Sequence, residues 1–312
     1  METALTLVRA AHFGAVIMLF GQFAYAYLVA PDEQLPPRFR ATLATSLAVA
    51  IVSAVAWLFL EASSMSGLPP GEAWRDGAVG TVLRETHFGN VCVARLAVAI
   101  VVAVAGFAMD PVRRRGVRLV CAIGAMAILA SLAACGHAAA GSGTQGAIRL
   151  TADALHLIAA GAWLGALVPF AALLKRSASD DRGLDFAHRA AARFSTLGIV
   201  SVGAIVLTGI INTRYTVQTL DALGGSRYGT ELIVKLTIFV AIVGFAAANR
   251  WSLTPRMARH DAGGARALGE MRRNALVELA LGLAIVAIVG NLGITMPPEH
   301  DDATTPAPRH HG

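Results

Sequence analysis

Apolar positions along this chain do not alternate with polar ones. They gather into eight long runs separated by short charged segments: Leu7–Val29, Ala41–Ser63, His87–Met109, Val117–Ala140, Ile148–Leu174, Phe194–Thr213, Gly229–Asn249 and Asn274–Ile294. A helix rises ~1.5 Å per residue, so ~20 residues cross the ~30 Å of hydrocarbon in a bilayer. Each run reaches that length, and the abundance of Ala, Leu and Gly without a period of two argues against strands. The expected fold is all-α: an eight-span transmembrane bundle over residues 1–294, then a flexible tail over 295–312. The Pro, Thr and acidic residues of that tail support no fold of their own. Short connections predict antiparallel neighbours. The longest, Ser64–Thr86 and Arg250–Arg273, have room for a short surface helix and no soluble domain. Pro169 near the end of the fifth span is tolerable because neighbouring helices satisfy the freed carbonyl. The first span is too long for a typical signal-peptide core and is expected to be retained.

Composition agrees with this picture: 312 residues, 55% apolar and 15% charged, with a mean hydropathy of +0.60. The charges are distributed unevenly. The loops after spans one, three, five and seven hold 17 of the 26 Lys and Arg residues, among them Arg113, Arg114, Arg115, Arg272 and Arg273, whereas the opposite side holds 7. The positive-inside rule therefore places both termini on the periplasmic side. The net charge of +6 is read as this topological signal plus attraction to membrane lipid headgroups, not as nucleic-acid binding.

With that orientation four histidines fall in the outer leaflet: His12, His87 at the outer interface, His137 near the outer end of span four, and His156, about 12 Å into span five. Imidazole at membrane depth is expensive and is a common ligand for copper, zinc and haem iron, so a periplasm-facing metal site is the functional expectation. Asp153 lies three residues before His156 on the same helix face, either orienting the imidazole or ligating beside it, and Trp163 follows seven residues later. His87 is the weaker candidate, because an interfacial imidazole costs little. Cys135 reaches such a site only if the helix end unwinds, and Met296 in the tail is a soft donor of lesser weight. The three cysteines form no disulfide framework. Arg95, two turns deep in span three, needs a carboxylate or carbonyl partner, with Asp153 or Glu231 as candidates; Glu231 and Lys235 form an i,i+4 pair. His188 and His260 are expected in cytoplasmic loops.

No phosphate-binding loop, CxxCH, HExxH or GxSxG occurs in the chain, so neither ATP-driven pumping nor a hydrolase is expected, and the chain is read as a non-enzyme.

GHAAAGSGTQGAIRLTADALHLIAAGAWLGALVPF over 136–170, TGIIN at Thr208–Asn212, YGTELIVKL at Tyr228–Leu236, NRWSLTP at Asn249–Pro255 and the last span from Arg272 resemble the copper resistance protein D (CopD) family of inner-membrane proteins. The resemblance extends over nearly the whole chain. It implies copper transport across the bacterial inner membrane, a copper ion as cargo, and a periplasmic CopC-type copper-binding protein as donor. Some members carry a fused CopC-like β domain; none is read here, so the donor is expected to be a separate protein. His137, His156, Asp153, Trp163, Glu231 and Lys235 lie within the matching motifs. Copper uptake through a vestibule of His12, His137 and His156 is therefore the leading expectation. A b-type haem redox protein, with histidines of facing helices as axial ligands, and a non-transporting cuproenzyme assembly factor are the alternatives.

Overall fold

The computed structural model describes residues 1–31, 38–109, 111–112, 114–135, 143–177, 181–216, 227–259 and 262–292. Eight helices long and apolar enough to cross a membrane carry the fold. They are α1 (Glu2–Ala24), α2 (Arg38–Ser66), α3 (His87–Ala108), α4 (Arg115–Ala130), α5 (Gly143–Arg176), α6 (Asp181–Thr216), α7 (Arg227–Ala248) and α8 (Ala262–Leu292). Three of them change pitch at the end: α1 and α7 continue as π-helical turns over Tyr25–Val29 and Asn249–Leu253, and α4 tightens into a 3-10 turn over Ser131–Cys135. There are no strands among the described residues.

Hydropathy located every span but misplaced some ends. Helix α6 begins at Asp181 rather than near Phe194, and α8 at Ala262 rather than near Asn274. Both open with several turns that carry charged residues, Asp181, Arg182, Asp185 and Arg189 in α6 and Arg266, Glu270, Arg272 and Arg273 in α8, which a search for apolar runs does not register. His188 is accordingly on a helix and not in a loop. The expected continuation of span four to Ala140 falls partly on residues 136–142, which lie outside the described residues; so do His137, His260, Met296 and the 295–312 tail. The Ser64–Thr86 connection holds two short helices, Pro70–Arg75 and Ala78–Glu85. Gly77 starts the second of them at φ 82°, a left-handed conformation that suits glycine. Thr86 then caps α3, its Oγ1 accepting from the Gly89 N–H at 3.0 Å.

Helices α1 and α5 occupy the centre and touch each other directly. Their backbones meet at Gly21 and Gly165: a Cβ on Gly21 would collide with the Gly165 backbone, and one on Gly165 with the Ile17 carbonyl and the Gly21 backbone. Around this seam the contacts repeat. Helix α1 packs on α2 and α4 as α5 packs on α6 and α8; α3 lies on α4 as α7 lies on α8; and α8 crosses over to α1 as α4 crosses over to α5. The buried apolar side chains divide the same way. One cluster is built mainly from α1 to α4 (Leu19, Leu43, Trp57, Val102, Leu129) and the other mainly from α5 to α8 (Leu167, Phe170, Leu174, Leu268). The first and fifth spans run in the same direction, so the relation is an approximate twofold along the membrane normal, the arrangement of a parallel repeat. Outside it, Ile100, Val101 and Val104 on α3 and Val200, Leu207 and Ile210 on α6 present exposed apolar surface, as a lipid-facing wall should.

Candidate functional site

His12 and His156 each stand nine residues before their seam glycine. At ~1.5 Å and ~100° per residue, both imidazoles are about 14 Å up the seam and half a turn away from it. They occupy the same depth and point in opposite directions, each into its own half. The expectation that they line one vestibule gives way to two pockets.

In the first half His12 is 1% exposed. Its Nδ1 lies 3.0 Å from the Ala50 carbonyl and 3.0 Å from Ser53 Oγ. Ser53 donates its own proton to the Val49 and Ala50 carbonyls, so Nδ1 carries the imidazole proton and Nε2 holds the lone pair. That lone pair is occupied: Arg95 Nη1 donates to it at 3.3 Å. Arg95, 4% exposed, also donates from Nε to Ser131 Oγ at 2.9 Å, and from Nη2 to the Ser131 carbonyl at 3.3 Å and Cys135 Sγ at 3.1 Å. Of the expected partners it finds a carbonyl, and neither of the carboxylates of Asp153 and Glu231 is its hydrogen-bond partner. The 3-10 turn at the end of α4 is what carries Ser131 and Cys135 to it. Trp57 floors the pocket, edge-on to His12 at 5.7 Å, with the Arg9 guanidinium 4.8 Å and that of Arg95 5.8 Å from its ring centre. Its Nε1 donates to Glu61 Oε2 at 3.1 Å.

The second half repeats the couple. His156 Nδ1 lies 3.0 Å from Thr208 Oγ1 and also faces the Ile205 carbonyl. Thr208, like Ser53, donates to the carbonyls three and four residues back, Ile205 and Ala204. The ring therefore carries its proton on Nδ1 as well, and Nε2 of His156 has no hydrogen-bond partner among the described residues. One turn up α5, Asp153 Oδ1 accepts from Asn212 Nδ2 at 3.3 Å. The Lys235 ammonium acts electrostatically on both Asp153 and His156. Arg95 and Lys235 are each eight residues beyond the first residue of their helices, α3 and α7, and hold matching places in the two halves. Arg9 and Asp153, three residues before their histidines, also correspond but have opposite charge.

Cys92, one turn before Arg95 on α3, borders the first pocket, within electrostatic reach of Arg95 and Cys135, and is buried with Leu58, Ala62, Val79 and Val82. Other predicted residues lie elsewhere: His87 is exposed at the first turn of α3. Trp163 is buried against Phe239, its ring edge-on at 6.5 Å. Glu231 Oε1 accepts from Asn291 Nδ2 at 2.6 Å. Among the described residues no three His, Cys, Asp or Glu side chains gather at one point. Sequence reasoning missed the hydroxyl of each couple, the stack of Arg9 and Arg95 over Trp57, and a polar cluster where α7 ends. In that cluster Asn249 Nδ2 donates to Glu278 Oε1 at 2.7 Å, and Asn274 Nδ2 to Asn249 Oδ1 at 2.9 Å. Arg9, Glu61 and Glu278 carried a legible signal, because an ionisable residue within an apolar span is costly wherever it lies. Ser53 and Thr208 carried none.

Comparison with known proteins follows the same division into halves. Residues 1–148 match the model of the copper resistance protein D-like N-terminal domain, and residues 188–292 match that of copper resistance protein D. Copper resistance protein D of Pseudomonas syringae pv. tomato is 30% identical, covering 96% of this chain and 98% of its own length. Inner membrane protein YebZ of Escherichia coli (strain K12) is 27% identical over 93% of the chain and 97% of its own length. Copper transport protein CutJ of Bacillus subtilis (strain 168) is 26% identical over 82% of the chain, which spans 45% of CutJ. No solved structure matches. With both halves matched in order by the family's models and a relative aligned almost end to end, the chain belongs to the copper resistance protein D family.

Proposed function

We propose that this multi-pass inner-membrane protein carries copper inward from the periplasm, taking it up at His156. The observation that supports this reading is the state of that imidazole. Its proton is fixed on Nδ1 by Thr208, its Nε2 has no hydrogen-bond partner among the described residues, and Asp153 lies one turn away on the same helix. A hydrogen bond to the non-ligating nitrogen is how proteins orient a ligating histidine, and imidazole with carboxylate suits copper among the transition metals. In this reading His137, from the segment just before α5, completes the site with His156 and Asp153, while His87 and Met296 deliver copper to it. His12 contributes only when Arg95 leaves its Nε2, and Cys135 likewise. Both termini face the periplasm, following the 17 to 7 charge asymmetry, and the donor is a separate CopC-type protein. The membrane potential favours cation entry by about 2.3 kcal/mol per charge per 100 mV. No bond of a substrate is made or broken, so the protein acts as a carrier and not an enzyme. The haem alternative loses support, since His12 and His156 face away from each other.

Metal analysis of detergent-purified protein together with its visible spectrum tests this. Copper without a Soret band is expected; stoichiometric iron with a Soret band would overturn the reading. Cysteine labelling from the periplasm should modify a probe placed at Gly143 and spare one at Arg114. The reverse pattern would turn the pockets to the cytoplasm and make export the supported direction.

A further inference from the structure

A buried arginine in an apolar bundle usually finds a carboxylate. Arg95 instead spends two of its donors on an imidazole nitrogen and a thiol: Nη1 on His12 Nε2 at 3.3 Å and Nη2 on Cys135 Sγ at 3.1 Å. Guanidinium stays protonated and accepts nothing, so both acceptors turn lone pairs toward one fixed positive charge. Imidazole nitrogen and sulfur are the donors that a soft cation selects, and here they already converge on a cation that belongs to the chain. The repeat supplies an independent reason to read the place as a site. His12 and His156 are held by the same hydroxyl-and-carbonyl couple at the same depth, and only in the first half is Nε2 covered.

Resting on the reading of copper as cargo, we propose that His12 Nε2 and Cys135 Sγ form a second, two-coordinate site for a soft monovalent cation of the Cu(I) class, with Arg95 as a resident plug that the cation displaces. On binding, the Cys135 thiol releases its proton to water, the thiolate and the neutral imidazole each donate a lone pair, and no oxidation state changes. One positive charge enters and one proton leaves, so the buried copper–thiolate–imidazole unit is neutral. A cavity of about 10 Å³ beside His12 and Arg95 has room for roughly one water, which can take up a donor that the shifted guanidinium leaves free. The Trp57 ring centre lies 5.8 Å from the guanidinium, and Ser131 Oγ remains an acceptor for its Nε. The second half needs no such plug, because Lys235 has Asp153 nearby as its counter-charge.

The test is a Cu(I) titration of the purified full chain under reducing conditions against a chromophoric Cu(I) chelator, in a His156→Ala background that removes the other site. Adding Arg95→Ala should tighten the remaining site by at least about tenfold, with one proton released per ion and one sulfur neighbour in the copper X-ray absorption spectrum. Adding Cys135→Ser should abolish it. An affinity that Arg95→Ala leaves unchanged overturns the proposal. Should that variant fail to fold, the wild-type chain provides a second measurement, the alkylation rate of Cys135 against Cys121 by mass spectrometry. Ag(I) should slow alkylation of Cys135 alone and lose that effect in His12→Ala; no protection, or protection that survives His12→Ala, overturns the proposal. The two readings fail separately. Reduced copper uptake in His156→Ala cells with no Cu(I) at His12 and Cys135 sinks only the second site, whereas normal uptake with Cu(I) bound there sinks only the transport site at His156.

Discussion

The two halves of this bundle use one device in two electrical settings. Each fixes a histidine at the same depth by handing its Nδ1 proton to a helix hydroxyl and a helix carbonyl, Ser53 and Ala50 in one case and Thr208 and Ile205 in the other. In the first half Arg95 takes the ring's second nitrogen, and Arg9 lies over the neighbouring Trp57. In the second half Asp153 stands where Arg9 stood, Lys235 has a counter-charge, and the nitrogen is open. A scaffold repeat therefore does not imply a chemical repeat. The orienting couple is common to both halves, and one turn of charge decides whether the imidazole is available to an external cation.

The largest effect should come from the seam itself. Gly165→Leu inserts a side chain where the obstacle is the Gly21 and Ile17 backbone, so the halves must separate, at a cost above the ~3 kcal/mol typical of overpacking against mobile side chains. Folded, monodisperse yield should collapse, while Gly203→Leu, with open space around it, should express normally. Equal yields would remove the basis for treating the halves as a tightly joined pair. Next in size, His156→Ala should lower cellular copper accumulation at equal protein level, and His188→Ala should not; an unchanged level in both would return His156 to a packing role. The smallest effect separates the orienting couple from the ligand. Thr208→Ala should weaken copper binding about 10- to 100-fold, Thr208→Ser should restore it, and Ser53→Ala should leave the His156 site untouched. A loss in Ser53→Ala as large as that in Thr208→Ala would show the two pockets to be one coupled unit.

Much of this architecture was legible in the sequence, because bilayer thickness converts directly into the length of an apolar run. His12, His156 and Asp153 were legible as well, since a polar group at depth is conspicuous against Ala and Leu. Which way they point was not. Direction depends on the helix face that packs against the neighbour, and the Gly21–Gly165 contact that sets it joins residues 144 positions apart. The repeat was hidden for a related reason. Aligned on their histidines, Ala11–Phe23 and Leu155–Leu167 share only the His, one Ala (Ala15 and Ala159) and the Gly, because packing against different neighbours constrains little beyond size and polarity. Arg95 is legible as needing a carboxylate or a carbonyl, and it finds a carbonyl, that of Ser131, rather than the carboxylates of Asp153 or Glu231 on the other half. Its actual partners became available through the change of pitch at Ser131–Cys135, which hydropathy cannot register.

The glycine seam also has a mechanical consequence. With no side chain between the two backbones, the seam is the place where one half can turn against the other without prising side chains apart, so it acts as a fulcrum. The two imidazoles stand at equal distances above it, about 14 Å, and therefore sit at the ends of equal lever arms. A rocking of about 5° moves each of them by about 1.2 Å relative to the opposite half, roughly the difference between a hydrogen bond made and one broken. Because each imidazole is held by partners from its own half, such a rocking carries each pocket along intact, and the contacts it changes are those that cross from one half to the other.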